Sequence, residues 1–350
     1  MRIRLHTDFT RRLLASGGRV MAYGARHAWA GGLAAMAVGL VCLGGEALAQ
    51  GWPAKPIRVI VPVPAGSGMD NVARIALERM GQNMSQVFVI DNIPGANTNI
   101  GAATAARAAP DGYTLLVATD AQVMSALVYR NLSYDPLRDL QMLGTIARTV
   151  FILSVAPSLP VQTTEEFIRY ARARPGTIPY GTSGIGSPHH IAMEIFAQAA
   201  GIELLHVPFK GSGDSVTALL GGTIQAAMGL PSSFAPHVKS GRFRALAVTA
   251  DRRVAAFPTI PTLAEGGVAG AEDESWYGLF APTGTPRPIL ERLHTELNRV
   301  LRDKVYTDEK LGKIGLEPFE SPTVDSAAAL MKVYYDKLAP VVKKAAIKLD

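Results

Sequence analysis

One stretch, residues 58–80, most constrains what this 350-residue chain can fold into. Arg58-Val59-Ile60-Val61 reads as a buried strand, and residues 62–70 form a loop of small residues around Gly66-Ser67-Gly68. Val72, Ile75, Ala76 and Met80 then share one stripe of an amphipathic helix. A strand that feeds a glycine-rich turn into a helix aims several unpaired backbone N–H groups, together with the positive end of the helix dipole, at one point. Such a point attracts anions.

The same rhythm recurs along the chain. Residues 87–90 read as a strand, 92–97 as a turn, 100–108 as a helix stopped by Pro110-Asp111-Gly112, and 113–118 as a strand again. Short apolar strands alternating with helical patterns build a parallel sheet. After a β-prone run at 151–155 and a helix started by Thr164-Glu165-Glu166, a second strand-loop-helix unit appears. It has a strand ending at Tyr180, a loop over 181–188, and a helix from His189 to Ala200, with Pro188 suited to the first turn. A further unit places a strand at 204–207, a loop at 208–213 and a helix capped by Asp214, and strands at 224–228 and 244–248 follow. Residues 257–261, 265–267 and 281–288 read as loops; 289–301 and 326–338 read as helices. Two glycine-rich loops of one design suggest two jaws.

The first fifty residues read as a targeting segment. Arg2, Arg4, Arg11, Arg12, Arg19 and Arg26 precede a small, apolar stretch at 28–44, and Ala47-Leu48-Ala49 has the small-x-small form of a cleavage site. The reading is a signal peptide over 1–49, general secretory in type, because Arg11-Arg12 lies well upstream of the apolar stretch. That stretch is short and glycine-rich for a bilayer, which needs roughly 20 apolar residues. Without these six arginines, Asp8 and Glu46, 29 basic (35 less 6) and 27 acidic (29 less 2) side chains remain. A nearly neutral chain argues against a nucleic-acid partner. The one cysteine, Cys42, falls inside the signal, so no disulfide or thiol chemistry is expected of the mature protein. About 300 residues suggest two domains.

Several stretches, in this order, resemble the tripartite tricarboxylate receptor family, the Bug-type periplasmic solute-binding proteins. They are Trp52-Pro53-Ala54-Lys55-Pro56-Ile57-Arg58, the loop 62–70, Pro94-Gly95 with Gly101, Ala109-Pro110-Asp111-Gly112-Tyr113, Tyr134-Asp135-Pro136 and the loop 180–189. Val207-Pro208-Phe209-Lys210-Gly211, residues 241–250 and 258–266, and Trp276-Tyr277-Gly278 with Ala281-Pro282 complete the set. The resemblance implies an α/β, two-lobed Venus-flytrap fold (a type II periplasmic binding protein) with a mixed, mostly parallel sheet in each lobe. It implies a periplasmic monomer that closes on a small carboxylated solute and hands it to membrane permease subunits. Lobe I is expected over 51–151 plus 246–350, and lobe II over 152–245.

The resemblance places ligand binding on Ala65, Gly66, Ser67, Gly68, Met69 and Asp70 of the first loop, and on Thr182, Ser183, Gly184, Ser187 and His189 of the second. Thr119, Phe209 and Lys210 join the expected set. Neither loop carries Lys or Arg, so an anion there would be held by amides, hydroxyls and dipoles. Asp70 also reads as a helix N-cap, and Trp276 and Tyr277 as core, with cleft lining as the alternative. The chain departs from the family pattern at Ser67, Met69, Asn97 and Thr98. Gly229 stands where many members have an acidic residue that can hold a ligand's amino group. With Met69, Phe209 and Met228 nearby in the pattern, this favours a di- or aromatic carboxylate over an amino acid.

Other chemistries fit less well. Ser183 and His189 could serve an exported hydrolase, but the glycine that closes a nucleophile elbow is missing. His190 and Glu194 sit four apart, yet the two-histidine zinc signature is absent. No phosphate loop or complete dinucleotide fingerprint occurs. The expectation is no catalysis, no metal and no cofactor. A sensor subunit presenting the same ligand to a membrane kinase remains indistinguishable at this point.

Overall fold

Four β-branched aliphatic residues in a five-residue segment make Ile57–Val61 strand β1, buried except at Arg58, as a central strand covered on both faces must be. A computed structural model describes residues 51–254 and 257–349; the signal-peptide reading of 1–49 lies outside the described residues. Along the chain come α1 (Gly68–Met84), β2 (Phe88–Asn92), α2 (Asn99–Ala106), β3 (Thr114–Thr119), α3 (Ala121–Val128) and β4 (Leu140–Val150). Next are β5 (Ile152–Val155), α4 (Thr164–Arg172), β6 (Pro179–Thr182), α5 (Pro188–Ala200), β7 (Leu205–Pro208), α6 (Ser212–Leu220), β8 (Ala226–Gly229), α7 (Pro231–Lys239) and β9 (Arg244–Val248). Then β10 (Glu274–Pro282), α8 (Arg287–Leu301), β11 (Glu317–Pro318) and α9 (Val324–Lys344) close the fold.

Two mixed sheets result. The first has the order β11-β4-β10-β3-β1-β2, the second β7-β6-β8-β5-β9. The parallel rhythm read from the sequence holds in β2-β1-β3 and in β7-β6-β8. The strands that carry the chain between the sheets, β4, β5, β9 and β10, pair antiparallel. The chain leaves the first sheet between Val150 and Ile152 and leaves the second only after Val248, three residues beyond the expected 245.

Local chemistry sets the helix ends. Thr163 accepts the Glu166 amide at the start of α4, and Thr323 and Ser326 cap α9 reciprocally. Asp214 is not the cap of α6: Gly211 holds that position without a side-chain bond, and Asp214 sits in the first turn, where its charge still suits the dipole. Residues 281–282 belong to β10 instead of a loop. Helix α9 runs past 338 and through Pro340 to Lys344.

One apolar cluster joins the sheets. Leu116, Met142 and Trp276 of the first sheet belong to the same core as Phe151, Tyr180, Phe196 and Met228, and α9 adds Met331, Leu338 and Val342. Each such side chain contributes about 1.5–3 kcal/mol on burial. Gln198 of α5 donates to the Val341 carbonyl at 3.2 Å, so the terminal helix is tied to the second sheet by a polar contact as well.

Candidate functional site

Strand polarity decides where the two glycine-rich loops open. Because β10 is antiparallel to both β3 and β4, strands β1, β2, β3 and β4 all end on one edge of the first sheet, the edge where the chain crosses over. In the second sheet, Ile152 at the entry of β5 pairs with Gly229 at the end of β8 and with Val248 at the end of β9. Strand β6 is parallel to β8, so Thr182 also ends on this crossover edge. The loop after β1 and the loop after β6 are therefore each on the edge that adjoins the other sheet. Ligands of open α/β sheets bind outside such carboxyl ends.

The first loop is held by a charge. Ser67, in extended backbone, is the N-cap of α1 and accepts the Asp70 amide at 3.5 Å, which corrects the expectation that Asp70 is the cap. Asp70 is instead the third helical residue and only 1% exposed. One carboxylate oxygen accepts the Gly66 amide at 2.7 Å and Arg74 Nε at 2.8 Å; the other accepts Asn92 Nδ2 at 3.0 Å. Burial alone would raise its pKa, but the bonds from Arg74, Gly66 and Asn92 prevail and bring it down to about 2. The carboxylate is thus committed to the loop, with Gly66 at φ 82°. Pro64 takes the Ser67 amide. Among the described residues nothing pairs the amides of Ala65, Gly68 and Met69, so three donors remain at the start of α1.

The second loop repeats the plan with other anchors. Ser187 is the N-cap of α5 and accepts the His190 amide at 3.3 Å, with Pro188 next to it. Gly184 and Gly186 adopt φ 127° and 71°, conformations in which a side chain is strained. The Gly186 amide donates to His190 Nδ1 at 3.0 Å, and the Gly184 amide donates to Thr182 Oγ1 at 3.3 Å. Thr182 Oγ1 lies 2.7 Å from His206 Nε2. Among the described residues the amides of Ser183, Ile185 and His189 have no partner, again three. Ile185 escaped the sequence reading, yet it is 43% exposed between the two glycines.

Ser183 Oγ and His189 Nδ1 are 2.9 Å apart, the pair named for a hydrolase. Burial lowers the His189 pKa to about 4, and its Nε2 is buried with no partner, so no third group orients the ring as a serine nucleophile requires. His190 Nε2 lies 3.9 Å from Glu194, and no group of three metal-ligating side chains occurs among the described residues.

Other expected residues divide. Thr119 ends β3, next to β1, and its hydroxyl accepts the Ala121 amide at 3.2 Å. Phe209 follows β7 beside the second loop, and its ring packs against the second sheet's own core; with Ile224 at 2.3 Å and Ser215 at 2.6 Å it crowds the place of a Cβ at Gly181. Lys210 is exposed. Trp276 and Tyr277 are core, 0% and 7% exposed. At Gly229 a Cβ would lie 2.0 Å from the Phe234 ring, which explains why no acidic side chain stands there. Cavities of about 340, 290, 560 and 230 Å³ are lined by none of the expected residues. Sequence reasoning missed Arg74, Asn92, His190 and His206 as anchors; Asn92 and His206 reach their loops from other strands, which no local spacing signals.

Known proteins share this architecture. The family model for a tripartite tricarboxylate transporter family receptor matches residues 72–347. A Cupriavidus necator protein, "UPF0065 protein in gbd 5'region", is 34% identical over 287 residues, covering 82% of this chain and 86% of its own. An R. palustris protein solved with adipate is 35% identical with a TM-score of 0.76, covering 85% of this chain and 99% of that one. MatC from Rhodopseudomonas palustris, solved with bound malate, is 26% identical with a TM-score of 0.72, covering 83% and 100%.

Proposed function

The chain belongs to the tripartite tricarboxylate transporter receptor family, periplasmic solute-binding proteins and not enzymes, and we propose that this member captures a small dicarboxylate between its two sheets. One observation carries the proposal: each loop leads into a helix N-terminus and holds three amides with no partner among the described residues, and neither loop contains a cation. A charge-assisted hydrogen bond is worth about 1.5–3 kcal/mol. Two carboxylate ends, one per loop, suffice for micromolar affinity, near −8 kcal/mol. The ligand-binding residues are Ala65, Gly68 and Met69 in the first loop, and Ser183, Ile185 and His189 in the second. Gly66, Ser67, Asp70, Thr182, Gly184 and Ser187 shape them.

The diacid preference has two supports. Phe234 fills the space beside Gly229, so no carboxylate is available there for a ligand's ammonium group. The neighbour solved with adipate, a diacid, is 35% identical. Lobe I is taken as residues 51–151 plus the chain after 248, and lobe II as 152–248, with closure favoured only by the ligand's preference for the closed state. The solute then passes to permease subunits. A thermal-shift screen of mono-, di- and tricarboxylates, adipate and malate included, tests the reading. A diacid at 100 times its dissociation constant stabilises by about 2.7 kcal/mol. No stabilisation by any of the acids refutes it.

A further inference from the structure

We propose that His190 and His206 are positioning residues for the second ligand loop: stacked ring on ring behind it, they fix the backbone at Gly184 and Gly186 that presents the free amides. The proposal rests on the reading of this loop as half of the ligand site. Its evidence is separate, because neither ring is among the groups assigned to the ligand.

The two imidazoles come from different elements, β7 and the first turn of α5, and their ring centroids are 3.9 Å apart at an interplanar angle of 15°. Tyr180, paired in register with His206 across β6 and β7, extends the stack at 5.0 Å. Each histidine controls one of the two positive-φ glycines around Ile185. A backbone amide can only donate, so the bond from Gly186 to Nδ1 requires that nitrogen of His190 to carry a lone pair. His206 acts one step removed. Its Nε2 meets Thr182 Oγ1, which accepts the Gly184 amide and lies 3.2 Å from the Gly184 carbonyl. The hydroxyl thus bridges both ends of the Gly184 peptide to the ring.

The groups facing the pair fit a neutral stack. Glu194 of the same helix approaches His190 Nε2 only to 3.9 Å and already accepts the Tyr180 hydroxyl at 2.8 Å. Strand β8, residues 226–229, brings no titratable side chain, and α9 meets α5 through the Val341 carbonyl. His189, on the other side of the turn, points its Nδ1 at Ser183 and packs on Phe151. Burial, and for His190 the neighbouring His206, lower both histidines' pKa values, that of His190 to about 3. A proton on His190 Nδ1 would set donor against donor at Gly186.

Two substitutions separate positioning from bulk. In His190→Asn the amide oxygen takes the place of Nδ1 as acceptor; in His190→Leu the volume stays and the acceptor goes. In the unliganded mature protein, hydrogen exchange at the Gly186 amide is expected to be slow in wild type and His190→Asn and at least tenfold faster in His190→Leu. Equal exchange in all three overturns the proposal, whatever the ligand proves to be. The His190 ring resonances are expected to hold their neutral position from pH 8 to pH 5, and a titration midpoint near 6.5 overturns it too. With adipate as probe, calorimetry at pH 7.5 should show His190→Leu weakened at least tenfold and His190→Asn within threefold. Equal weakening of the two variants also overturns it. Wild type that binds neither adipate nor any other diacid sinks the ligand reading instead, and the exchange experiment still decides the positioning.

Discussion

In the first sheet an ionised carboxylate holds the strand-to-helix loop; in the second, neutral imidazoles do. Both loops have a serine N-cap, a glycine with positive φ and three amides without a partner among the described residues. Behind the first, Asp70 gathers Gly66, Arg74 and Asn92. Behind the second, His190 takes Gly186, and His206 reaches Gly184 through Thr182. The plan of strand, glycine turn and serine-capped helix is shared, while one anchor is charged and the other neutral. The anchors need only be rigid, and a carboxylate fixed by three donors and a stacked ring pair are two ways to that end.

The largest effect expected is at the glycines. At Gly184, φ is 127°, where a β-branched residue has almost no allowed conformation, and the Phe209 carbonyl lies 3.5 Å from a Cβ placed there. Gly66, at 82°, is nearer the left-handed region and has open space around it. Strain of this kind costs about 1–3 kcal/mol. Gly184→Val is expected at the top of that range in thermal unfolding and Gly66→Val at the bottom. Both should lose stabilisation by the diacid, because each moves amides out of register. If both variants keep that stabilisation, the loops are not the site, and the comparison between them loses its meaning.

An asparagine in each anchor position gives the next effect, of opposite outcome in the two loops. Asp70→Asn removes the charge that three donors answer and is expected to cost about 2 kcal/mol of stability, the scale of charge-assisted bonds. At His190 the same residue type restores an acceptor and leaves the loop in place. The pH dependence follows from the direction of the Asp70 shift. Its folded pKa, about 2, lies below the ordinary value. Its contribution is therefore complete above about pH 4 and is lost as the pH falls toward 2. Subtracting the stability curve of Asp70→Asn from that of wild type isolates this loss. A difference that vanishes already at pH 5 shows that Asp70 is not held as described.

Both loops are legible in the sequence because a strand, glycine spacing and a following helical pattern are local signals within about ten residues; the serine caps are not, since Asp70 offers the same capping chemistry three residues on. The loops' anchors are not legible either. Asn92 comes to Asp70 from the next strand, and His206 comes to His190 from the strand beside β6, contacts that no local spacing encodes. Strand β10 was hidden for a different reason: buried at eight of its nine residues between β3 and β4, it shows no alternation, and Gly278 and Pro282 read as breakers. Helix α3 is buried at six of its eight residues and carries no charged side chain to mark a solvent face. The β-prone run through Phe151 is where the chain passes from β4 of the first sheet to β5 of the second.

The smallest effect is the most discriminating. Arg74 stands behind the first loop but is engaged by Asp70, whereas Lys210 is exposed on the turn after β7, beside the second. If the amide donors hold the anion, Lys210 contributes only a screened, long-range attraction, because exposed charges interact weakly across water. Lys210→Ala should then change diacid affinity by less than about threefold, under 0.7 kcal/mol on the scale where tenfold is 1.4 kcal/mol. Raising the salt from about 0.05 to 0.5 M should shrink even that difference. A tenfold loss, insensitive to salt, would mean that the second loop grips its anion with a lysine. The two loops would then differ in what they present to the ligand as well as in what stands behind them.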